Sequence, residues 1–269
     1  MRGGGSTQDP AGDDGPGRVP GRVIPGRVIN EAGAGPFVII CDHASRHVPR
    51  EFAALGLATA DLERHIAWDP GALPVARLVA AALDAPLIHS TVSRLVIDVN
   101  RDPDAPDLIP STSEDTEIPG NRGISAAARR RRMAALHEPY HAAIDRLVSR
   151  RLAEAMQTAL IGVHTFTPVF RGSSRPWHVG VLHGRDLRIA GPLLAALAAE
   201  AAIMVGDNQP YRPEDGVYYT LARHAEARGL PGAMIEIRND MVADGRGQRE
   251  WAERLCGALA ALDLPARAA

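Results

Sequence analysis

From Pro36 onward, short runs rich in β-branched residues alternate with longer segments rich in Ala, Leu and Arg. This alternation constrains the fold most strongly, because strands separated by helices return to one sheet through crossovers and lie largely parallel. Strands are expected near 37–41, 86–91, 95–99, 159–163, 178–182, 203–205 and 233–237. Helical patterns lie near 62–66, 74–83, 125–156, 187–202, 217–228 and 249–262. Ser125 stands where an N-cap belongs, and Gly229 where a helix would end. The expectation is an α/β fold with a mixed, largely parallel central sheet and helices on both faces. At 269 residues and 45% apolar content the chain can bury a full core without staples. Residues 36–269 are read as a single domain. Residues 1–35, which contain the imperfect repeat "GRVPGRVIPGRVI", are Gly/Pro-rich and are expected to be a disordered tail.

Charge and cysteine usage narrow the function classes. The formal net charge is −2, which argues against a dedicated nucleic-acid binder. All 30 basic residues are Arg, a bias that reads as base composition, and the run from Arg129 to Arg132 is expected to be a solvated helix face. Cys41 and Cys256 are the only cysteines, too few for a disulfide framework, so a reducing compartment is expected. No apolar stretch approaches the roughly 20 residues of a membrane span, and the Gly/Pro/Asp-rich start has no signal-type apolar region. A cytoplasmic protein without a membrane partner follows as an expectation.

The unusual residues fall at strand ends. The run "PFVIIC" stops at Asp42 and His43, and His47 follows four residues later. Turn chemistry accounts for Asp42, Ser45 and Pro49 but not for the histidines. Three further strand ends, "VIDVNRD", "IGVHTF" and "MIEIRND", carry Asn100, Arg101, His164, Glu236 and Arg238. Ligand sites gather at the carboxyl ends of strands in open α/β sheets, so these residues are expected in one cleft. Strand alternation would put Arg94, Asp98 and Asn100 on one face, and Glu236 and Arg238 on one face of another strand.

Histidine and carboxylate donors suit zinc, whose catalytic sites have three protein ligands and an open position. His43 and His164 are best placed, and Asp69 in "HIAWDPGA" could supply a carboxylate, although an acid before Pro-Gly is also an ordinary N-cap or turn residue. His47 and His65 are read as structural. Glu236, inside "AMIEI", would carry a desolvation cost unless it pairs with Arg238 or Arg101 or has a chemical task. The 102–122 stretch, "DPDAPDLIPSTSEDTEIPGNR", is long enough to be a lid or binding loop.

Seven blocks appear in the order found in the N-formylglutamate amidohydrolase family: "CDHASRHVP", "HIAWDPGA", "RLVIDVNRDP", "TEIPGN", "EPYHAAI", "GVHTFTP" and "MIEIRND". The chain resembles that family over about residues 36–262, closest to its broad branch and not to the branch dedicated to histidine breakdown. The resemblance implies a zinc-exopeptidase fold, similar to carboxypeptidases and aspartoacylase, and metal-dependent amide hydrolysis with one Zn²⁺ per chain. It implies His43, Asp69 and His164 as metal ligands, although no Glu follows His43 in the His-x-x-Glu pattern of carboxypeptidases. Asn100 and Arg101 resemble the Asn-Arg pair that those enzymes direct at the substrate, and Glu236 stands at the place of their catalytic glutamate.

The implied reaction uses metal-activated water, with Glu236 as general base and then general acid, and Arg101 at the developing oxyanion. Asn100, Arg94, Arg171 and Arg238 are the candidates for holding a small-molecule carboxylate substrate. Two other readings remain at this stage. One uses Cys41 as a nucleophile, in a strand-end position where a buried thiol would be inert. The other is a non-catalytic relative that binds an acidic ligand. The sequence leaves oligomeric state, exact substrate and the role of the tail open.

Overall fold

Seven strands join in one sheet in the computed structural model, which describes residues 24–263. They are β1 (Gly26–Ile29), β2 (Phe37–Cys41), β3 (Leu87–Ser90), β6 (Ala159–Phe166), β9 (Val179–Leu182), β10 (Val205–Asp207) and β11 (Gly232–Arg238). Two small hairpins, β4 (Thr112–Ser113) with β5 (Thr116–Glu117) and β7 (Val169–Phe170) with β8 (Ser173–Ser174), stand apart from it. The order across the main sheet is β1-β3-β2-β6-β11-β9-β10. The run from β3 to β11 is parallel, while β1 joins β3 and β9 joins β11 in antiparallel fashion. The sheet is therefore mixed and largely parallel, as expected.

Both faces are covered, and β2 displays the pattern that demands it. Phe37, Ile39 and Cys41 face α2 (Ala72–Ala82), α5 (Ala190–Ala198) and α7 (Gly245–Ala260), packing with Val75, Val79, Leu193 and Leu255. Val38 and Ile40 face the other way, toward Tyr140, Ile144 and Leu147 of α4 (Glu138–Ala153) and Leu221 of α6 (Tyr219–His224). Successive side chains on a strand point to opposite faces, so an uninterrupted apolar run is what a strand buried on both sides requires. Each such side chain contributes about 1.5–3 kcal/mol of burial. A third cluster, with Leu55, Ile66, Leu95, Ile97, Leu108 and Leu136, lies under the segments that roof the strand ends.

Several local expectations are corrected. Residues 95–99 are buried but form turns, not a strand. Their backbone groups are taken by side chains instead of a ladder: Asn121 Nδ2 donates to the Leu95 carbonyl and Arg132 Nη1 to that of Val96. The helix expected over 125–156 is α3 (Ala126–Arg132) and α4, joined by a π-helical turn at Met133–His137. The helix near 62–66 is instead α1 at Thr59–Glu63. Ser125 does cap α3, accepting from Ala128 N, and Gly229 closes its turn at φ 65°.

The 129–132 run is not a simply solvated face. Arg132 is buried and also donates to Asn121 Oδ1, while Arg129 donates to the carbonyls of Pro103 and Ala105. Part of the stretch expected to be a disordered tail is also ordered. Gly26–Ile29 pairs with Leu87–Ser90 as the edge strand, and the buried Arg151 donates to the Gly33 and Gly35 carbonyls just after it. The rest of that expectation, over residues 1–23, lies outside the described residues. No described helix is long and apolar enough to cross a membrane.

Candidate active site

The carboxyl ends of β2, β6 and β11 meet in one cavity of about 270 Å³. His43 lies two residues beyond β2, while His164 and Glu236 sit directly across from each other on β6 and β11. Asp69 enters from the turn before α2, where its N–H donates to the His43 carbonyl at 2.9 Å. Gly71 makes that turn possible: its φ is 84°, and a Cβ there would lie 2.5 Å from Val242 Cγ2. Only glycine adopts this conformation in this space without strain.

His43, Asp69 and His164 each offer one donor atom, all within 4.8 Å of one another, and all three residues are buried. Each histidine is oriented from behind by a carboxylate. His43 Nε2 is 2.7 Å from Asp98 Oδ1, and His164 Nε2 is 3.1 Å from Asp42 Oδ2. Asp42 is itself anchored by Tyr140 Oη at 2.8 Å and Thr220 Oγ1 at 2.9 Å, both donating to its other oxygen. Asp98 is bound by Arg94 Nη2 at 3.0 Å and accepts from Asn100 N. With an ion bound, these contacts would keep the ring protons on the Nε2 atoms and turn both Nδ1 atoms toward it beside Asp69.

The donors fit a metal ion. His43 Nδ1 is buried without a hydrogen bond, 3.4 Å from Asp69 Oδ2, and His164 Nδ1 lies 2.9 Å from the same oxygen. Two nitrogens and a carboxylate oxygen, backed by outer carboxylates, are the donor set that zinc takes with an open fourth position. The field agrees. Burial alone would lower the His164 pKa, but bonds to Asp42 and Asp69 outweigh it and raise it to about 10. Burial pushes Asp42 and Asp98 upward, yet His164, His43 and Tyr140 hold Asp42, and His43, Arg94 and Arg101 hold Asp98, below the ordinary value. The cluster thus stabilises positive charge between His43, Asp69 and His164.

Glu236 borders this cluster. It is buried, forms no ion pair among the described residues, and its Oε2 makes no hydrogen bond. Burial raises its pKa to about 7 against the opposing pull of His164. The pairing with Arg238 or Arg101 considered for it is not formed.

The remaining candidates divide. Arg94, Asn100 and Arg101 line the cavity. The Asn100 side chain ties two segments together, donating to the Val217 carbonyl and accepting from Thr220 N. Arg94 and Arg101 are ion-paired, Arg94 to Asp98 and Asp69 and Arg101 to Asp107. Two expectations are corrected. Arg171 is exposed on the β7–β8 turn at φ 47° and does not line the cavity. Arg238 lies at the end of β11, turned to Asp240 at 2.8 Å, and does not line it either. His47 is exposed, whereas His65 reaches the rim and pairs with Glu114. Cys41 is fully buried in the core, and burial drives its thiol pKa well above the ordinary value.

Sequence reasoning missed Asp42 and Asp98 as the partners of the histidines, and Tyr211 on the cavity wall. The signal for the acids was adjacency to "H" and "N" in "CDH" and "DVN", which turn chemistry explains equally well. The 102–122 loop supplies Asp107, Pro110, Thr112, Ser113 and Glu114 to one wall, consistent with the binding loop expected there.

The fold is zinc-exopeptidase-like, with a polar cluster at the ends of its central strands. A crystal structure of gene product Atu2144 from Agrobacterium tumefaciens superimposes with TM-score 0.85 and 40% identity, covering 89% of this chain and 96% of that one. N-formylglutamate amidohydrolase from Ralstonia eutropha JMP134 is similar in fold, with TM-score 0.65 and 19% identity over 88% of this chain and 96% of that one. No curated protein sequence matches the chain. The family description N-formylglutamate amidohydrolase matches residues 35–243, and the chain belongs to that family. Membership makes it a hydrolase acting on amides.

Proposed function

We propose that the protein hydrolyses the amide bond of an N-acyl amino acid, N-formylglutamate or a close relative, in a metal-dependent reaction. The observation that carries this reading is the convergence of the unpartnered His43 Nδ1 and the unpartnered Glu236 Oε2 on one cavity beside Asp69 and His164. His43, Asp69 and His164 would hold zinc, one ion per chain. Bound there, the ion supplies Lewis acidity that polarises a carbonyl and acidifies water.

The chain's own groups do the rest. Glu236 Oε2, free of partners, accepts a proton from the attacking water and returns it to the leaving amine. Arg94 and Arg101 on the cavity wall offer N–H groups toward negative charge developing on the carbonyl oxygen. Asp98 and Asp42 keep the histidine rings in one orientation. The substrate is a small carboxylate, and the reaction belongs to the cytoplasm, where Cys41 and Cys256 stay reduced.

The test is metal content of the purified protein together with formate release from N-formyl-L-glutamate before and after chelation. About one zinc per chain with chelator-sensitive turnover supports the reading. Full turnover by metal-free protein overturns it.

A further inference from the structure

Behind the aromatic part of the cavity wall lies a charge that the proposed reaction does not use. Arg175 is only 8% exposed and forms no ion pair among the described residues. Its guanidinium lies among aromatic faces, with Cζ 4.5 Å from the Phe170 ring centroid, 4.7 Å from that of Tyr211 and 5.8 Å from that of Phe166. One nitrogen, Nη1, donates to Tyr211 Oη at 2.9 Å. All three aromatic residues line the cavity that contains Glu236 and His164.

Burying a guanidinium without an anion is costly, and aromatic faces recover only part of that cost. An anion held on the cavity side of these rings would supply the missing counter-charge. The two arginines that do line the cavity are already committed, Arg94 to Asp98 and Asp69 and Arg101 to Asp107. The Tyr211 hydroxyl is the link. Its oxygen accepts from Arg175, so its own proton is free to be donated, and the nearby cation makes it a stronger donor. Burial and the neighbouring Glu236 keep the phenol protonated, with its pKa raised. The local fold holds this hydroxyl in place. Gly180, beside Glu236 in the sheet, allows the 209–211 segment to close on it, since a Cβ there would lie 1.8 Å from the Gln209 carbonyl oxygen.

We propose that Tyr211 and Arg175 form the subsite for the substrate's carboxylate, Tyr211 by hydrogen bond and Arg175 as the charge behind it. The inference rests on the proposed reaction for the identity of the substrate, but not on turnover. It replaces Arg171, in the same "FRGSSR" stretch, by the arginine four residues on.

The experiment measures binding and hydrolysis separately. Calorimetric binding of N-formyl-L-glutamate and its two monoamides is measured on metal-loaded Glu236→Gln protein, alone and combined with Arg175→Gln, Arg175→Lys or Tyr211→Phe. The expected result is at least a tenfold preference for the diacid over one monoamide. That preference is abolished by Arg175→Gln, partly kept by Arg175→Lys and reduced several-fold by Tyr211→Phe. Absence of any preference in the parent overturns the proposal, as does a preference that Arg175→Gln leaves intact. Should the Arg175 variants fail to fold, Tyr211→Phe decides, and an unchanged preference in it overturns the subsite. A Tyr211→Phe change that lowers kcat without altering KM or binding also overturns it, because the hydroxyl would then serve the transition state. Formate release is scored on protein with Glu236 intact. Carboxylate-selective binding without formate release counts against the proposed reaction and leaves the subsite standing.

Discussion

Asp98 Oδ1 lies 2.7 Å from His43 Nε2, and this contact decides which nitrogen of the ring faces the cavity. A carboxylate behind a histidine fixes its tautomer and raises its basicity as a ligand. Asp98→Ala is expected to lower metal affinity about 10- to 100-fold. Competition against a chelator of known affinity measures it, and unchanged affinity would remove Asp98 from this role.

Glu236→Gln keeps the shape of the side chain but cannot take a proton. Zinc content is expected to match the parent while kcat falls by about 10²- to 10⁴-fold. Rapid turnover by the variant would exclude Glu236 as the base.

Tyr140 Oη and Thr220 Oγ1 both donate to one oxygen of Asp42, whose other oxygen faces His164. Tyr140→Phe leaves that buried carboxylate one donor short. A loss of about 1.5–3 kcal/mol in denaturant unfolding is expected for a hydrogen bond to a charged group. A stability equal to the parent's would mean that the remaining donors suffice.

Acid sensitivity is expected from a second histidine pair behind the site. His141 Nε2 lies 2.8 Å from the Val99 carbonyl and Nδ1 lies 2.9 Å from His224 Nε2, so both rings are neutral and mutually oriented. Burial lowers His141 from 6.5 to about 3 and His224 from 6.5 to about 4. In the unfolded chain both take up protons below about 6.5, so folding stability is full above that pH. It is lost as pH falls through the window from 6.5 down to about 4 and 3, by an amount on the order of several kcal/mol. Urea unfolding between pH 7.5 and 4.5 should follow this slope. His224→Gln, which retains a donor for His141, should flatten it, and an unaltered slope would assign the acid sensitivity to other groups.

Gly71→Ala places a Cβ against Val242 at a φ of 84°. A loss above about 1 kcal/mol is expected, because alanine is strained at positive φ. Thermal melting of the variant checks it, and metal affinity should fall with it, since the same turn carries Asp69.

The elements most legible in the sequence were those whose pattern had one physical cause. The all-buried runs 37–41 and 233–237 read as strands because both sheet faces are covered. His43, His164 and Glu236 stood out because an ionisable residue in such a setting is costly without a task. The 95–99 stretch misled for a related reason. Its apolar, β-branched composition answers to burial in the third cluster, and burial alone cannot tell a strand from turns pinned by Asn121 and Arg132. Asp42 looked like punctuation, and its three partners come from residues 140, 164 and 220, which no local pattern connects. Nothing local sets Arg175 above Arg171, the arginine the sequence singles out, because a hairpin turn exposes one and buries the other, and that depends on tertiary structure.

The hydrogen bond from Thr220 to Asp42 spans 178 positions of the chain. Glu236 lies further on still, on a strand inserted between β6 and β9. A chain emerging from a ribosome at about 5–20 residues per second therefore carries His43 and Asp69 for many seconds before the strand bearing Glu236 exists. During that interval the two early members of the cluster stand without His164, and then without Glu236. The cavity therefore comes into being late, when the centre of the sheet closes.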